Sequence, residues 1–205
     1  MNNLFLQSEK LNFVPPLVKF TWKPEPFALL VDDAINSLND PTALDFKYTL
    51  VGRMRKGKQV ELISEHNDFL AEVANLYAST LIPNYTPQKF KIHEKPWVVL
   101  QRSGDYNPIH SHSGFLSAIT YIKVPKSIGV LNDVDRQDLD FNPDGYISFI
   151  GPDKYIKIKP VEAEGYIFPS SLNHMVYPFF DDKDDTRISL AWNIRRETDN
   201  AFTRL

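Results

Sequence analysis

The chain of 205 residues contains no cysteine. That excludes a disulfide framework, a thiolate nucleophile and any zinc or iron–sulfur site built on sulfur ligands. No apolar run reaches the length of a membrane span. The first residues, MNNLFLQSEKLNF, have neither a basic start nor an apolar segment long enough for a signal peptide, so a cytoplasmic location is the expectation. Charge of one sign is scarce as well. The 23 basic and 26 acidic residues leave a net −3, which gives no reason to expect nucleic acid or an anionic membrane as partner. What remains is 42% hydrophobic and 24% charged, the balance of an ordinary globular protein with one substantial core.

Two textures follow one another along the chain. Residues 1–95 mix extended pieces such as LVKFTW (17–22) with helical patterns. In PEPFALLVDDAINSLND, Pro26 stands where a helix starts, Phe27, Leu30, Val31 and Ile35 recur at helical spacing, and Asn39-Asp40-Pro41 supplies a stop. NDFLAEVANLYASTLIP repeats the design, with Asn67 as a cap and a stripe of Phe69, Leu70, Val73, Leu76, Tyr77 and Leu81 that ends before Pro83. From Pro96 the period changes to two. WVVLQRS (97–103), FLSAITYIKV (115–124), YISFI (146–150), YIKIK (155–159), GYIFP (165–169) and TRISLAWNI (186–194) are short runs rich in β-branched and aromatic residues. Many short strands without intervening helices argue for an antiparallel sandwich or barrel. The expected organisation is therefore an N-terminal support over 1–95, packed on a mainly β core over 96–205, in one compact domain.

Candidate chemistry concentrates in that second half. Side chains at i and i+2 of an extended segment leave the same face, so His110 and His112 in NPIHSHSG can converge on one ion while Ser111 points away. A third imidazole, His174, lies in EGYIFPSSLNHMVYP, and Arg187 follows it in TRISLAWN. On that strand Arg187, Ser189, Ala191 and Asn193 share one face, and Ile188, Leu190, Trp192 and Ile194 the other. The face of small and polar residues is either the solvent side of an edge strand or the lining of a cavity. In the second case the guanidinium fork, with Ser189 beside it, would hold a carboxylate through paired hydrogen bonds. His66, in the polar SEHND, reads as cap or surface. His93 lacks same-face geometry with its neighbour Glu94, so neither is a metal candidate.

These residues resemble the 2-oxoglutarate- and iron(II)-dependent oxygenases, and most closely a group found in bacterial and phage genomes. The resemblance rests on three ordered segments, NPIHSHSGFLSAITYIKVP, EGYIFPSSLNHMVYP and RISLAWN, across residues 97–195. It implies a double-stranded β-helix, or jelly roll, of the cupin-like kind, and a host-cytoplasm location if a phage encodes the chain. It implies oxidative decarboxylation of 2-oxoglutarate to succinate and CO2, with O2 consumed and a second substrate hydroxylated. Three protein ligands on one face of an octahedral iron(II) leave three positions, two for the keto acid and one for O2. Arg187 and Ser189 would take the far carboxylate, and Tyr121, nine residues after His112, could donate to it as well. No catalytic residue beyond the metal ligands is expected.

One departure from the family stands out, because H-S-H occupies the place of the common histidine–x–carboxylate. Three arrangements stay open. In the first, the preferred reading, His110, His112 and His174 form a three-histidine face. In the second, His112 and His174 bind alone, with water in the carboxylate position, since His112-Ser113-Gly114 resembles the aspartyl/asparaginyl β-hydroxylases. Or Asp133 or Asp135 completes the set. Two other functions compete. One is a non-catalytic jelly-roll binding module using Tyr106, Phe115, Tyr166, Phe179 and Trp192, and the other a cupin-type dioxygenase that needs no keto acid. For an oxygenase the second substrate would be a protein side chain or a small molecule. Residues 1–95 and 125–145 are expected to shape its entrance, and HMVYPFF (174–180) an apolar wall near the metal.

Overall fold

Period-two alternation after Pro96 becomes strands whose two faces have different fates. The computed structural model describes residues 4–47, 52–64, 66–130 and 143–197. In chain order its elements are β1 (Phe5–Lys10), β2 (Val18–Trp22), α1 (Pro24–Asn39), β3 (Lys58–Glu61), α2 (Asn67–Leu81), β4 (Phe90–Ile92), β5 (Trp97–Gln101), β6 (Asn107–His110), β7 (Leu116–Lys123), β8 (Ile147–Ile150), β9 (Tyr155–Ile158), β10 (Glu164–Pro169), β11 (Asn173–Val176) and β12 (Arg187–Arg196). Eight strands form one sheet in the order β1-β2-β10-β7-β12-β5-β3, with β4 also on β12. A four-stranded sheet runs β6-β11-β8-β9. Every pairing is antiparallel. The result is a mainly β jelly roll with two helices.

Strand β12 is the spine of the large sheet, bonded to β7, β5 and β4. Its apolar face, Ile188, Leu190, Trp192 and Ile194, is buried with Leu30 of α1 and with Leu70 and Val73 of α2. The Trp192 indole N–H donates to the Leu70 carbonyl and that of Trp22 to the Thr120 hydroxyl, each at 3.0 Å, so the two tryptophans of this core bury no unmade hydrogen bond. The opposite face, Arg187, Ser189, Ala191 and Asn193, lines a cavity. A second core of Leu17, Tyr121, Phe149, Tyr166, Phe168 and Val176 joins strands of both sheets.

Several expectations need correction. In α1 the buried stripe is Pro26, Leu30, Ala34 and Ser37, and Ile35 is 37% exposed. The helix turns its small residues inward, and the Ser37 hydroxyl, bonded to the Asp33 carbonyl, accepts the Ile63 N–H. Asn67 is the first helical residue of α2 rather than its cap; His66 holds the cap position without a capping bond. The strands β1, β3, β4, β6 and β11 are too short, too polar or, in NPIH, too interrupted by proline to show a period of two. Of the aromatics considered for a binding surface, Tyr166, Phe179 and Trp192 are buried in the interior, leaving Tyr106 and Phe115 exposed.

Gly165 shows how tightly β10 is held. It lies opposite Phe20 of β2 and Thr120 of β7, and an added Cβ would strike the Phe20 ring and come within 2.7 Å of the Ile119 carbonyl oxygen. Backbone on one side leaves no flexible atom to yield. Gly165→Ala should therefore destabilise the fold by about 1–3 kcal/mol, read as a lower urea midpoint with an unchanged denaturant slope.

Candidate metal and carboxylate site

The three histidines arrive on the small sheet and on the loop beside it. Antiparallel pairing of β6 and β11 sets His110 directly opposite His174. His112 does not continue that strand; it sits in the following loop, held where its N–H donates to the Ser170 carbonyl at 2.9 Å. The convergence expected from i and i+2 geometry is thus reached by a strand end and a pinned loop together. Ring centroids lie 4.3 Å apart for His110 and His174, 4.9 Å for His110 and His112, and 5.0 Å for His112 and His174. One nitrogen from each ring lies within 4.8 Å of the other two, a spacing compatible with one shared metal ion.

The hydrogen bonds choose the tautomers. His110 Nδ1 lies 2.7 Å from the Pro108 carbonyl oxygen, and His174 Nδ1 lies 3.0 Å from that of Leu172. A carbonyl only accepts, so both Nδ1 atoms carry the proton and both Nε2 lone pairs are free for a metal. Burial lowers the pKa of all three rings, that of His112 to about 4 and that of His174 to about 3, and their mutual repulsion as cations adds to the effect for those two. Three neutral imidazoles with no carboxylate form the metal-competent group among the described residues. Asp133 and Asp135 lie outside the described residues. His66 Nδ1 is 2.8 Å from Asp33 Oδ2, and His93 Nε2 is 3.8 Å from Glu94; neither joins the group.

The histidines open into a cavity of about 520 Å³ between the two sheets. Its inner end holds Arg187, Gln101, Tyr121 and Ser189, all buried. Its rim carries Trp97, Glu61, Glu94 and Lys95, and the Trp97 ring lies 5.5 Å from that of His112. The solvent-face reading of the small-residue side of β12 is therefore wrong, since Arg187 is only 1% exposed. Arg187 Nε donates to Gln101 Oε1 at 3.0 Å, one terminal amino group donates to the same oxygen, and the other donates to the Gly145 carbonyl at 2.6 Å. Three of the five guanidinium N–H groups are thereby used and two are left for a ligand. No carboxylate among the described residues forms an ion pair with it. Burial lowers its pKa to about 10, so it remains a cation at neutral pH.

Tyr121 pairs in register with Ser189, and its hydroxyl has no hydrogen-bond partner among the described residues. Burial raises its pKa, so it is a neutral donor. The apolar wall near the histidines differs from expectation. Val176, Phe168 and Ile147 line the cavity, whereas Phe179 is buried in the interior and Phe180 is exposed. Sequence reasoning missed Gln101 and Asn107. The signal available for Gln101 was a polar residue on the inward face of an apolar strand, in step with Trp97 and Val99. The expected contribution of residues 1–95 to the entrance is visible in Phe46, Gln59, Glu61, Glu94 and Lys95; positions 131–142 lie outside the described residues.

Facing antiparallel sheets thus enclose a metal-competent histidine group and a buried cation in one cavity. Residues 95–193, which contain every one of these side chains, match the family described as "Putative 2OG-Fe(II) oxygenase", a family of the 2-oxoglutarate- and iron(II)-dependent class. Iron(II), 2-oxoglutarate and O2 are the cofactors and co-substrates of that class. No curated protein matches the sequence.

Among solved structures, a Trichoplax adhaerens prolyl hydroxylase in complex with a hypoxia inducible factor peptide fragment aligns with a TM-score of 0.54 at 14% identity, over 87% of this chain and 82% of that one. The non-heme alpha-ketoglutarate-dependent epimerase SnoN of nogalamycin biosynthesis aligns with a TM-score of 0.57 at 12% identity, over 88% and 77%. HygX from Streptomyces hygroscopicus, with nickel and 2-oxoglutarate bound, gives 0.52 at 8% identity, over 84% and 80%. At these identities the likeness is one of fold.

The histidine environment has a pH signature. Folded-state pKa values below the ordinary 6.5 mean that the unfolded chain binds protons the native state refuses. Their contribution to stability is complete above pH 6.5 and is lost as pH falls below it. The metal-free protein should lose up to about 1.4 kcal/mol per pH unit for each of His112 and His174 between pH 6.5 and 4.5. Melting temperature against pH measures the slope, and His174→Asn should flatten it.

Proposed function

We propose that the chain is a hydroxylase in which His110, His112 and His174 hold iron(II), while Arg187, Ser189 and Tyr121 take the far carboxylate of 2-oxoglutarate. The observation that carries this reading is the coexistence, in one cavity, of a neutral histidine group and a buried guanidinium with no carboxylate in ion-pair contact among the described residues. The donor set fits the metal, because imidazole nitrogens suit iron(II) and two Nε2 lone pairs are already free. The fit to the co-substrate is equally direct. Arg187 offers two unused N–H groups, the Tyr121 hydroxyl a third donor and Ser189 a fourth, at the inner end of the cavity. Iron(II) and 2-oxoglutarate together supply oxidative decarboxylation to succinate and CO2, coupled to oxidation of the second substrate. The protein's own part is to bind the keto acid in one orientation, to keep the site poor in water and to present the second substrate from the rim.

The in-register placement of His110 against His174 supports membership of all three histidines over a set of two with water. Such a site is one unit more positive than a pair of histidines with a carboxylate, which favours a dianionic keto acid. A keto-acid-independent dioxygenase, or a binding module, would leave the buried charge of Arg187 without a purpose. The second substrate in this reading is a protein side chain or a small molecule, admitted past Trp97, Glu61, Glu94 and Lys95. Residues 1–95 serve as support and 96–205 as the catalytic core. Among the described residues no helix is long and apolar enough to cross a membrane, and a cytoplasmic location belongs to the same proposal.

Purified protein given iron(II), ascorbate and 2-oxoglutarate should form succinate slowly even without its second substrate. Arg187→Met should weaken 2-oxoglutarate binding by about 10–100-fold in anaerobic calorimetry. His110→Ala and His174→Ala should each weaken metal binding at least about tenfold. A silent His110→Ala would eliminate the three-histidine set, and a wild-type protein that binds no 2-oxoglutarate would eliminate the oxygenase reading.

A further inference from the structure

A carboxylate-binding arginine has two conflicting needs. Its fork must be fixed in space, and its full charge must stay available to the ligand. An acidic partner would meet the first need and defeat the second. Here the register of β5 and β12 puts Gln101 opposite Arg187. The Gln101 side chain, also 2% exposed, accepts from Nε and from one terminal amino group through a single atom, Oε1. Arginine only donates, so the amide orientation is not a free choice: oxygen must face the guanidinium. The Gln101 Nε2 group must then face the other way, and it donates to Asn107 Oδ1 at 3.1 Å. Asn107 is fixed in its turn, with its oxygen committed to Gln101. It belongs to β6, three residues before His110, and lines the same cavity. One chain of oriented amide dipoles therefore runs from the histidine-bearing strand to the guanidinium.

Resting on the oxygenase reading above, we propose that Gln101 and Asn107 are positioning residues for the co-substrate: an uncharged relay that locks the Arg187 fork toward the incoming carboxylate without cancelling its charge. The donor-only guanidinium sets the direction of the Gln101 amide, Asn107 anchors its Nε2 end, and the anchored amide holds the rotation of the guanidinium. The relay also ties the anion end of the cavity to the strand that carries His110, so that the two ends of a bound keto acid are held by one connected frame. Glutamate at position 101 would accept the same two N–H groups but would turn the cation into a neutral pair, and the ligand carboxylate would then meet no net charge.

The test compares two ligands that share a keto-acid head but differ at the far end. Manganese(II)-loaded protein is titrated anaerobically with 2-oxoglutarate and, separately, with pyruvate, which has no second carboxylate. Gln101→Glu should weaken 2-oxoglutarate at least about tenfold and leave pyruvate within about twofold. Gln101→Met and Asn107→Leu keep the charge of Arg187 but release its orientation, and each should weaken 2-oxoglutarate by about 3–10-fold, again sparing pyruvate. If Gln101→Glu lacks a cooperative melt, those two variants carry the test. Unchanged 2-oxoglutarate binding in folded variants overturns the relay, as does an equal loss of both ligands, which marks general distortion. A wild-type protein that binds pyruvate and 2-oxoglutarate equally refutes the anion role of Arg187 itself, and one that binds neither refutes the oxygenase reading.

Discussion

The arrangement depends on a positive charge kept out of water with no carboxylate of the described residues within ion-pair distance, the buried Asp105 acting on it only from further off. Arg187 is fully enclosed, and its bonds go to one amide oxygen and one backbone carbonyl, which are dipoles and not ions. Moving a guanidinium into such a place costs several kcal/mol unless something offsets it. Here the dipoles offset part, and in the proposed function a ligand carboxylate supplies the rest. The fold is organised to bear that cost. β12 carries Arg187 at its start and is bonded to strands on both sides, and its other face is sealed by α1 and α2 around Trp192. Core packing and ligand recognition are thus two faces of one strand.

The histidine group obeys a related logic with the opposite sign. Its members are held neutral by burial, and two of them spend their Nδ1 protons on backbone carbonyls. Both pins are local, each reaching a carbonyl two residues earlier, so the tautomers are set by the turn of the chain and not by a distant partner. That leaves lone pairs aimed inward at no cost in charge. In the proposed function a dianionic keto acid would then meet a cation at one end and a metal without a carboxylate ligand at the other. Both ends of the cavity favour the same class of guest.

Much of this was legible before the coordinates. The alternation in RISLAWN places Arg187 and Ser189 on one face and Ile188, Leu190 and Trp192 on the other, because a strand has no freedom to do otherwise. The H-x-H pair is legible because its residues are adjacent, and His174 because it follows a strand that can turn back on the first. What stayed hidden depends on pairing between distant segments. NPIH becomes a strand only because NHMV lies against it, and Gln101 acquires a role only when the register sets it opposite Arg187. The inward face of α1 was misjudged for a similar reason. Apolar spacing favoured Ile35, but the sheet beneath takes the small residues Ala34 and Ser37.

The rim has a different consequence. Phe46, Glu61, Glu94, Lys95 and Trp97 come from a loop, from β3, from the approach to β5 and from the first residue of β5, and none lies on the strands that bear the histidines or the arginine. Lys95 and Glu61 meet in an exposed ion pair at 2.8 Å, an interaction of the kind that contributes little to stability. Such positions can be exchanged at small cost to folding. If the proposed function holds, guest selection and oxidative machinery are therefore separable inheritances: lineages descending from this architecture could acquire new targets by altering the doorway alone, without disturbing the hearth behind it.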